Sequence, residues 1–387
     1  MTMYGRVSGT TSPYIGPVGS TRRNLARPTR RIERTRRRTA LTAVAALALG
    51  LTVAAAPSAG AAEDTGGRNG RLDHHAPLAG HGVNDYLVYT PAGWKPSDRL
   101  PLYVMLHGCG TTASEQMNAS LMNTVADRER FIVAYPDNGG QCWGAVFPIP
   151  PHTNRGGGGD ADVIAGITEQ VISDYGVDTQ RVYLAGMSSG AFEASATAAA
   201  YPDVYAAVGV NAGGGPGMDV SCTTLIDSSA RFFASRGVEQ MGRRARVMPF
   251  FSIGGTLDPL GERPTVGGCS RLAYLSWLGV DNLLEPGGNG DTFREDPAST
   301  VNGQVPGGHT WTKYVARDRS NCQIAERWVV QGMNHYWSGG STDPKYWRNR
   351  PDGSTGFDDP KGPSASEASW RFFHQFTLNG GNTKCPK

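Results

Sequence analysis

The feature that most constrains this chain is a series of short apolar runs, each set off from the next by a stretch of helical periodicity. Pro101-Leu-Tyr-Val-Met-Leu-His107, Phe131-Ile-Val-Ala-Tyr135, Arg181-Val-Tyr-Leu-Ala185, Ala206-Ala-Val-Gly-Val-Asn211, Val247-Met-Pro-Phe-Phe-Ser-Ile253 and Glu326-Arg-Trp-Val-Val330 all read as strands. Runs that are apolar at successive rather than alternate positions belong to strands buried on both faces, the usual condition of a parallel sheet. Helical patterns cover Ser114–Arg128, Asp160–Tyr175, Ser189–Tyr201 and Ser364–Phe376, and in the second of these Val163, Ile164, Ile167, Val171 and Ile172 share one face. The alternation predicts an α/β domain with a mostly parallel sheet and helices on both faces. Asp85–Thr90 adds a strand at the front, and residues 280–320 read as an insertion.

The first 62 of the 387 residues are different in kind, with ten Arg, no Lys and a single acid, Glu33. They carry +9 of a whole-chain charge of +3, which leaves −6 for the remainder. The chain's basicity therefore resides in this leader and gives no reason to expect a nucleic-acid partner. An Arg-rich stretch ending at Arg38, an apolar run from Thr39 to Ala56 and the small-residue end Ser58-Ala-Gly-Ala-Ala62 have the three parts of a secretory signal peptide. The Ala-dominated run is shorter than the ~20 residues of a membrane span, so cleavage and release outside the cell are expected rather than anchoring. Residues 63–82, polar and Gly-rich, read as a flexible mature N-terminus, and 83–387 as the catalytic domain. No Ser/Thr/Pro-rich linker to a second module is visible in that stretch. Six cysteines, an even number in an exported chain, are expected to form disulfides, and none has the C-x-x-C spacing of a zinc site.

Gly186-Met187-Ser188-Ser189-Gly190 lies between a predicted strand and a predicted helix. A G-x-S-x-G turn in that context lifts the serine above the sheet edge, which is the nucleophile elbow of the α/β-hydrolase fold. The Ser189 N–H, at the helix start, would then face an oxyanion formed at a carbonyl attacked by Ser188. A serine nucleophile needs a histidine base and an acid to orient it, and in this fold they follow in the order Ser, acid, His. Only His309, His335 and His374 lie after Ser188. His335 is the favoured base because Gly332-Met-Asn-His-Tyr-Trp337 leaves the strand ending at Val330. His309 is a loop alternative, and His374 falls within the last helix. Asp258, just beyond the strand Val247–Ile253, is the favoured acid, with Asp281 and Asp291 as rivals. His107-Gly108-Cys109-Gly110 ends an earlier strand where a second oxyanion donor, the Cys109 N–H, is needed. His107 itself reads as a buried, hydrogen-bonded residue that shapes this turn. Trp143 and Trp337 are candidate substrate-binding walls for an acyl chain or an aromatic ring, packing being the competing role.

These motifs resemble those of the esterases related to extracellular poly(3-hydroxybutyrate) depolymerases, which include feruloyl and acetylxylan esterases. The resemblance rests on Leu106-His-Gly-Cys109, Cys142-Trp143, Arg155-Gly-Gly leading into Asp160-Ala-Asp-Val, Ala185-Gly-Met-Ser-Ser-Gly190, Asp258 in a Gly-x-x-Asp loop and His335-Tyr-Trp-Ser-Gly-Gly340. It implies Ser188, Asp258 and His335 as catalytic residues, a Cys109–Cys142 disulfide bracing the oxyanion loop, and no cofactor or metal. It further implies a polyester substrate, short-chain polyhydroxyalkanoate, with an ester linked to a plant polysaccharide as the alternative. Gly144-Ala145 replaces the Asn-Trp that often follows Cys-Trp, and Ser338 replaces a usual Pro. An inactive polymer-binding protein on the same scaffold is the reading from another class, and a complete set of catalytic residues speaks against it.

Overall fold

The computed structural model describes residues 69–78, 84–147, 153–262, 268–285, 298–341, 357–383 and 385. The leader and Asp291 lie outside them. In chain order the first elements are β1 (Arg71–His75), β2 (Tyr86–Thr90), β3 (Leu102–Leu106), α1 (Ala113–Ser120), α2 (Met122–Glu129) and β4 (Ile132–Pro136). Next come α3 (Asp160–Tyr175), β5 (Val182–Met187), α4 (Ser189–Ala200), β6 (Ala207–Asn211), α5 (Ala230–Met241) and β7 (Phe250–Gly255). After α6 (Cys269–Leu284), the strands β8 (Ser299–Gln304), β9 (Thr310–Arg317) and β10 (Gln323–Val330) complete a ten-stranded sheet of order β1-β2-β4-β3-β5-β6-β7-β10-β9-β8. The short strands β11 (Trp337–Ser338) and β12 (Asp358–Asp359) pair with each other, and α7 (Ala365–Phe373) is the last helix.

The six strands from β4 to β10 in that order run parallel, and antiparallel strands extend both edges. This is the α/β-hydrolase architecture expected from the sequence, and the period of two explains it. Leu102, Val104 and Leu106 of β3 pack into one core with α3, α4, α5 and α6, while Tyr103 and Met105 pack into a second core with α1, α2 and α7. Strand order reverses between β3 and β5, so the loops leaving their carboxyl ends flank a crevice where such sheets place ligands.

Four details differ from the sequence reading. Arg71–His75, placed in the flexible start, is the edge strand β1, paired along its whole length with β2. The helical pattern Ser114–Arg128 is two helices, broken at Leu121, whose φ of 53° is left-handed. The segment read as an insertion holds the last turn of α6 and the hairpin β8–β9. Asp281, a rival acid, is buried in α6, where its Oδ1 accepts the Met248 N–H at 2.8 Å.

Candidate active site

Ser188 stands between β5 and α4 with φ 55° and ψ −122°, a left-handed backbone that a non-glycine residue adopts at a cost of roughly 1–3 kcal/mol. The flanking glycines are required by contact rather than by φ. A Cβ on Gly186 would sit 2.2 Å from the Gly190 carbonyl oxygen, and one on Gly190 would sit 2.4 Å from that of His107. The turn is held to the sheet by the Ser188 N–H, which donates to the Asn211 carbonyl at 3.0 Å.

Ser188 Oγ lies 2.8 Å from His335 Nε2. On the other side of the ring, His335 Nδ1 lies 3.0 and 2.9 Å from the two carboxylate oxygens of Asp258. The Asp258 side chain is fully buried while that of His335 is 28 % exposed, so the acid is shielded and the base reaches the surface. Asp258 Oδ1 also accepts the Leu260 N–H at 2.8 Å, which fixes the carboxylate plane. The His335 loop closes on the sheet through the Leu257 N–H, donated to the Met333 carbonyl at 3.0 Å, and a Cβ on Gly255 would meet that carbonyl at 2.0 Å. Asn211, read from the sequence only as the end of a strand, secures the loop's far side. Its Nδ2 donates to the Tyr336 carbonyl at 2.8 Å, and its Oδ1 accepts the Ser338 N–H at 3.3 Å. Nothing in the motif content marks Asn211; its position as the last residue of β6 was the available signal.

The other histidines are elsewhere. His309 Nε2 pairs with Asp359 Oδ2 at 2.8 Å, and His374 Nδ1 lies 3.0 Å from the Trp370 carbonyl at the end of α7. His107 is fully buried, with Nδ1 2.8 Å from the Gly108 carbonyl and Nε2 facing the Asn138 N–H at 3.3 Å. That pair of contacts requires the neutral ring protonated on Nδ1, in keeping with burial, which pushes its pKa down.

Next to Ser188, Gly108 comes so close that a Cβ there would lie 3.2 Å from the Ser188 Cβ. Cys109, the next residue, is bonded to Cys142, and the other disulfides are Cys222–Cys269 and Cys322–Cys385. Trp143 and Trp337 do not line an open cleft, which corrects the expectation of aromatic walls. Trp143 is fully buried and donates its Nε1–H to the His107 carbonyl at 2.9 Å, and Trp337 is 2 % exposed within the core under α7. Both indole rings pack inward and bury a large apolar surface beneath their Gly-rich loops, Trp143 beside Val146 and Trp337 beside Met333 in the two cores. A cavity of about 680 Å³ lined by Pro249, Ile324, Phe376 and Leu378 lies at the amino-terminal ends of β7 and β10, away from Ser188.

Residues 84–250 match the family model described as Esterase PHB depolymerase. The chain carries a domain of this esterase family. Feruloyl esterase B of Neurospora crassa is 35 % identical over 122 residues, covering 31 % of this chain and 41 % of that protein. Acetylxylan esterase A of Aspergillus ficuum is 34 % identical over 148 residues, 38 % of this chain and 47 % of its own length. The chain thus spans under half the length of these two relatives. An acetyl xylan esterase structure from Aspergillus awamori superposes with a TM-score of 0.51 over 69 % of this chain and 94 % of that one, at 21 % identity, a likeness of fold. The family segment holds Cys109, Cys142, Ser188 and Ser189, whereas Asp258 and His335 lie beyond it and are placed by the geometry above.

Proposed function

We propose that this esterase-family protein hydrolyses carboxylic esters through an acyl-enzyme on Ser188. The observation that carries the reading is the contact chain from Ser188 Oγ through His335 to buried Asp258. As Ser188 attacks the ester carbonyl, His335 Nε2 takes its proton and returns it to the departing alcohol; water then repeats the cycle on the acyl group. Asp258 holds the Nδ1 proton and offsets the imidazolium charge. The Cys109 and Ser189 N–H groups serve as oxyanion donors, the latter in the first turn of α4. Three disulfides fit an oxidising destination, in line with a secreted protein.

For the substrate, relatives named as acetylxylan and feruloyl esterases favour an ester on a plant polysaccharide over a polyester. The burial of Trp143 and Trp337 leaves no aromatic slot from those two residues and favours a small acyl group such as acetyl. The family's description keeps poly(3-hydroxybutyrate) as a second reading. Replacing Ser188 or His335 by Ala should lower kcat on p-nitrophenyl acetate by roughly 10⁴ to 10⁶, while His309→Ala stays within a few-fold. Loss of turnover in His309→Ala with His335→Ala unaffected would sink the assignment, and no Ser188-dependent turnover at all would favour an inactive polymer-binding protein. A kcat/KM on hydroxybutyrate oligomers tenfold above that on acetylated xylan, about 1.4 kcal/mol, would reverse the substrate order.

A further inference from the structure

Helix α4 carries the serine turn at its head, and all twelve of its residues are buried. One of them, Glu193, is ionisable, and it faces the loop that follows Cys142. Its Oε2 accepts the Ala145 N–H at 3.0 Å, and its Oε1 accepts the Thr197 hydroxyl at 3.2 Å. From α3, Asp160 Oδ2 accepts the adjoining Gly144 N–H at 2.6 Å. Two acids on two helices thus grip successive amides of the short turn Gly144–Val146. Immediately before that turn stand Cys142, bonded to Cys109, and Trp143, bonded to the His107 carbonyl. Both connections run to the loop whose Gly108 lies against Ser188 and whose Cys109 N–H is the oxyanion donor of the proposed function.

We propose that Glu193 and Asp160 are positioning residues for ester hydrolysis, fixing the Cys142–Val146 segment and, through the disulfide and the Trp143–His107 hydrogen bond, the oxyanion loop. The inference rests on the esterase reading and deepens it. Neither residue touches the reacting atoms. Their effect passes through a rigid segment, and a donor displaced by about 1 Å costs on the order of 10²-fold in rate.

The protonation state of Glu193 adds a readout that a packing role would not give. Burial and the neighbouring Asp160 push it up to about 8, so it holds a proton at neutral pH. Asp160 is the charge that bears on it. Asp162, on the same helix, is engaged by the Tyr201 hydroxyl and the Gly156 and Gly158 amides, and Arg155 by Asp203. His107, at the end of β3, is engaged at both ring nitrogens. Arg231, Arg236 and Glu239 of α5 are exposed, and Tyr103 and Tyr183 lie in the core on the other face of the sheet. Above pH ~8 two carboxylates would repel across the turn they hold.

The test is steady-state hydrolysis of p-nitrophenyl acetate by the full chain. At pH 7 Glu193→Ala should lower kcat at least tenfold with KM changed less than threefold. Glu193→Gln, which can still accept from Ala145 and can donate to Thr197, should recover kcat to within threefold of wild type. From pH 7 to 9.5 the wild-type kcat should fall through a step near 8 that Glu193→Gln lacks. Should Glu193→Ala fail to fold, the Gln profile and a tenfold kcat loss in Asp160→Asn decide the matter. Wild-type kcat in Glu193→Ala, or the same alkaline step in Glu193→Gln, overturns the proposal. If the wild type shows no Ser188-dependent turnover, it is the esterase reading that fails. Near-ultraviolet circular dichroism of Ser188→Ala protein, with and without Glu193→Gln, then reads the indole environment directly: a Glu193-dependent step near pH 8 supports the coupling, and matching titrations overturn it.

Discussion

Asn211 joins the two halves of the site at a single side chain. Its carbonyl holds the Ser188 N–H, and its side-chain amide holds the far side of the His335 loop through Tyr336 and Ser338. Asn211→Ala keeps the first contact and removes the others, leaving the Tyr336 carbonyl and the buried Ser338 N–H without partners. We expect a loss of stability of about 1–3 kcal/mol in urea titration and a fall in kcat on the order of 10²-fold from the misplaced base. Wild-type kinetics in a folded variant would show that the His335 loop holds itself. Residues of this kind are hard to see in a sequence. The meeting of Ser188, Asp258 and His335 was legible because each follows a strand and because the expected order of nucleophile, acid and base points to these three. Asn211 and Glu193 bond to backbone N–H and carbonyl groups that no spacing rule brings near them. The tryptophans were misread for a related reason: Trp143 sits in a Gly-rich stretch that suggests exposure, while its ring is committed to the core and to the His107 carbonyl.

The elements read most faithfully are those with the sharpest contrast to their surroundings. Asp160–Tyr175 was legible to the residue, starting after Gly159 and stopping at Gly176, whose left-handed φ of 58° ends the helix. Helix α6 escaped because twelve of its sixteen residues are buried, which leaves no polar face to set a period. The hairpin β8–β9 escaped for the opposite reason, since β8 is exposed along nearly its whole length and carries almost no apolar signal. Strand β10 contributes more than its pairing. Its Arg327 forks onto Glu262, with Nε 3.0 and 2.9 Å from the two carboxylate oxygens, and Glu262 is fully buried on the segment that follows Asp258. Arg327→Ala strands that acid in the interior and should cost about 3–5 kcal/mol. The double variant Arg327→Met, Glu262→Gln should recover part of the loss. A midpoint of thermal unfolding unchanged in Arg327→Ala would contradict this account of the acid loop.

Among the described residues, four buried acids resist ionisation. Burial pushes Glu193 and Asp358 up to about 8, and Asp281 and Glu262 are raised as well. Between the ordinary carboxylate range and pH ~8 the folded chain keeps protons that the unfolded chain has released, so stability should fall as pH rises through that window. The urea midpoint should be higher at pH 5 than at pH 8.5, and the double variant Glu193→Gln, Asp358→Asn should narrow the difference. Equal midpoints at both pH values in the wild type would refute it. The spacing of the contact chain along the polypeptide has another consequence. Ser188 precedes its base by 147 positions, and the strand that leads to His335 pairs with β7 only once β10 exists. At a synthesis rate of roughly 5–20 residues per second, the serine turn leaves the ribosome about 7–30 s before the imidazole it contacts. Throughout that interval the Ser188 hydroxyl has no imidazole partner, because that contact forms only when β10 has joined β7 in the sheet.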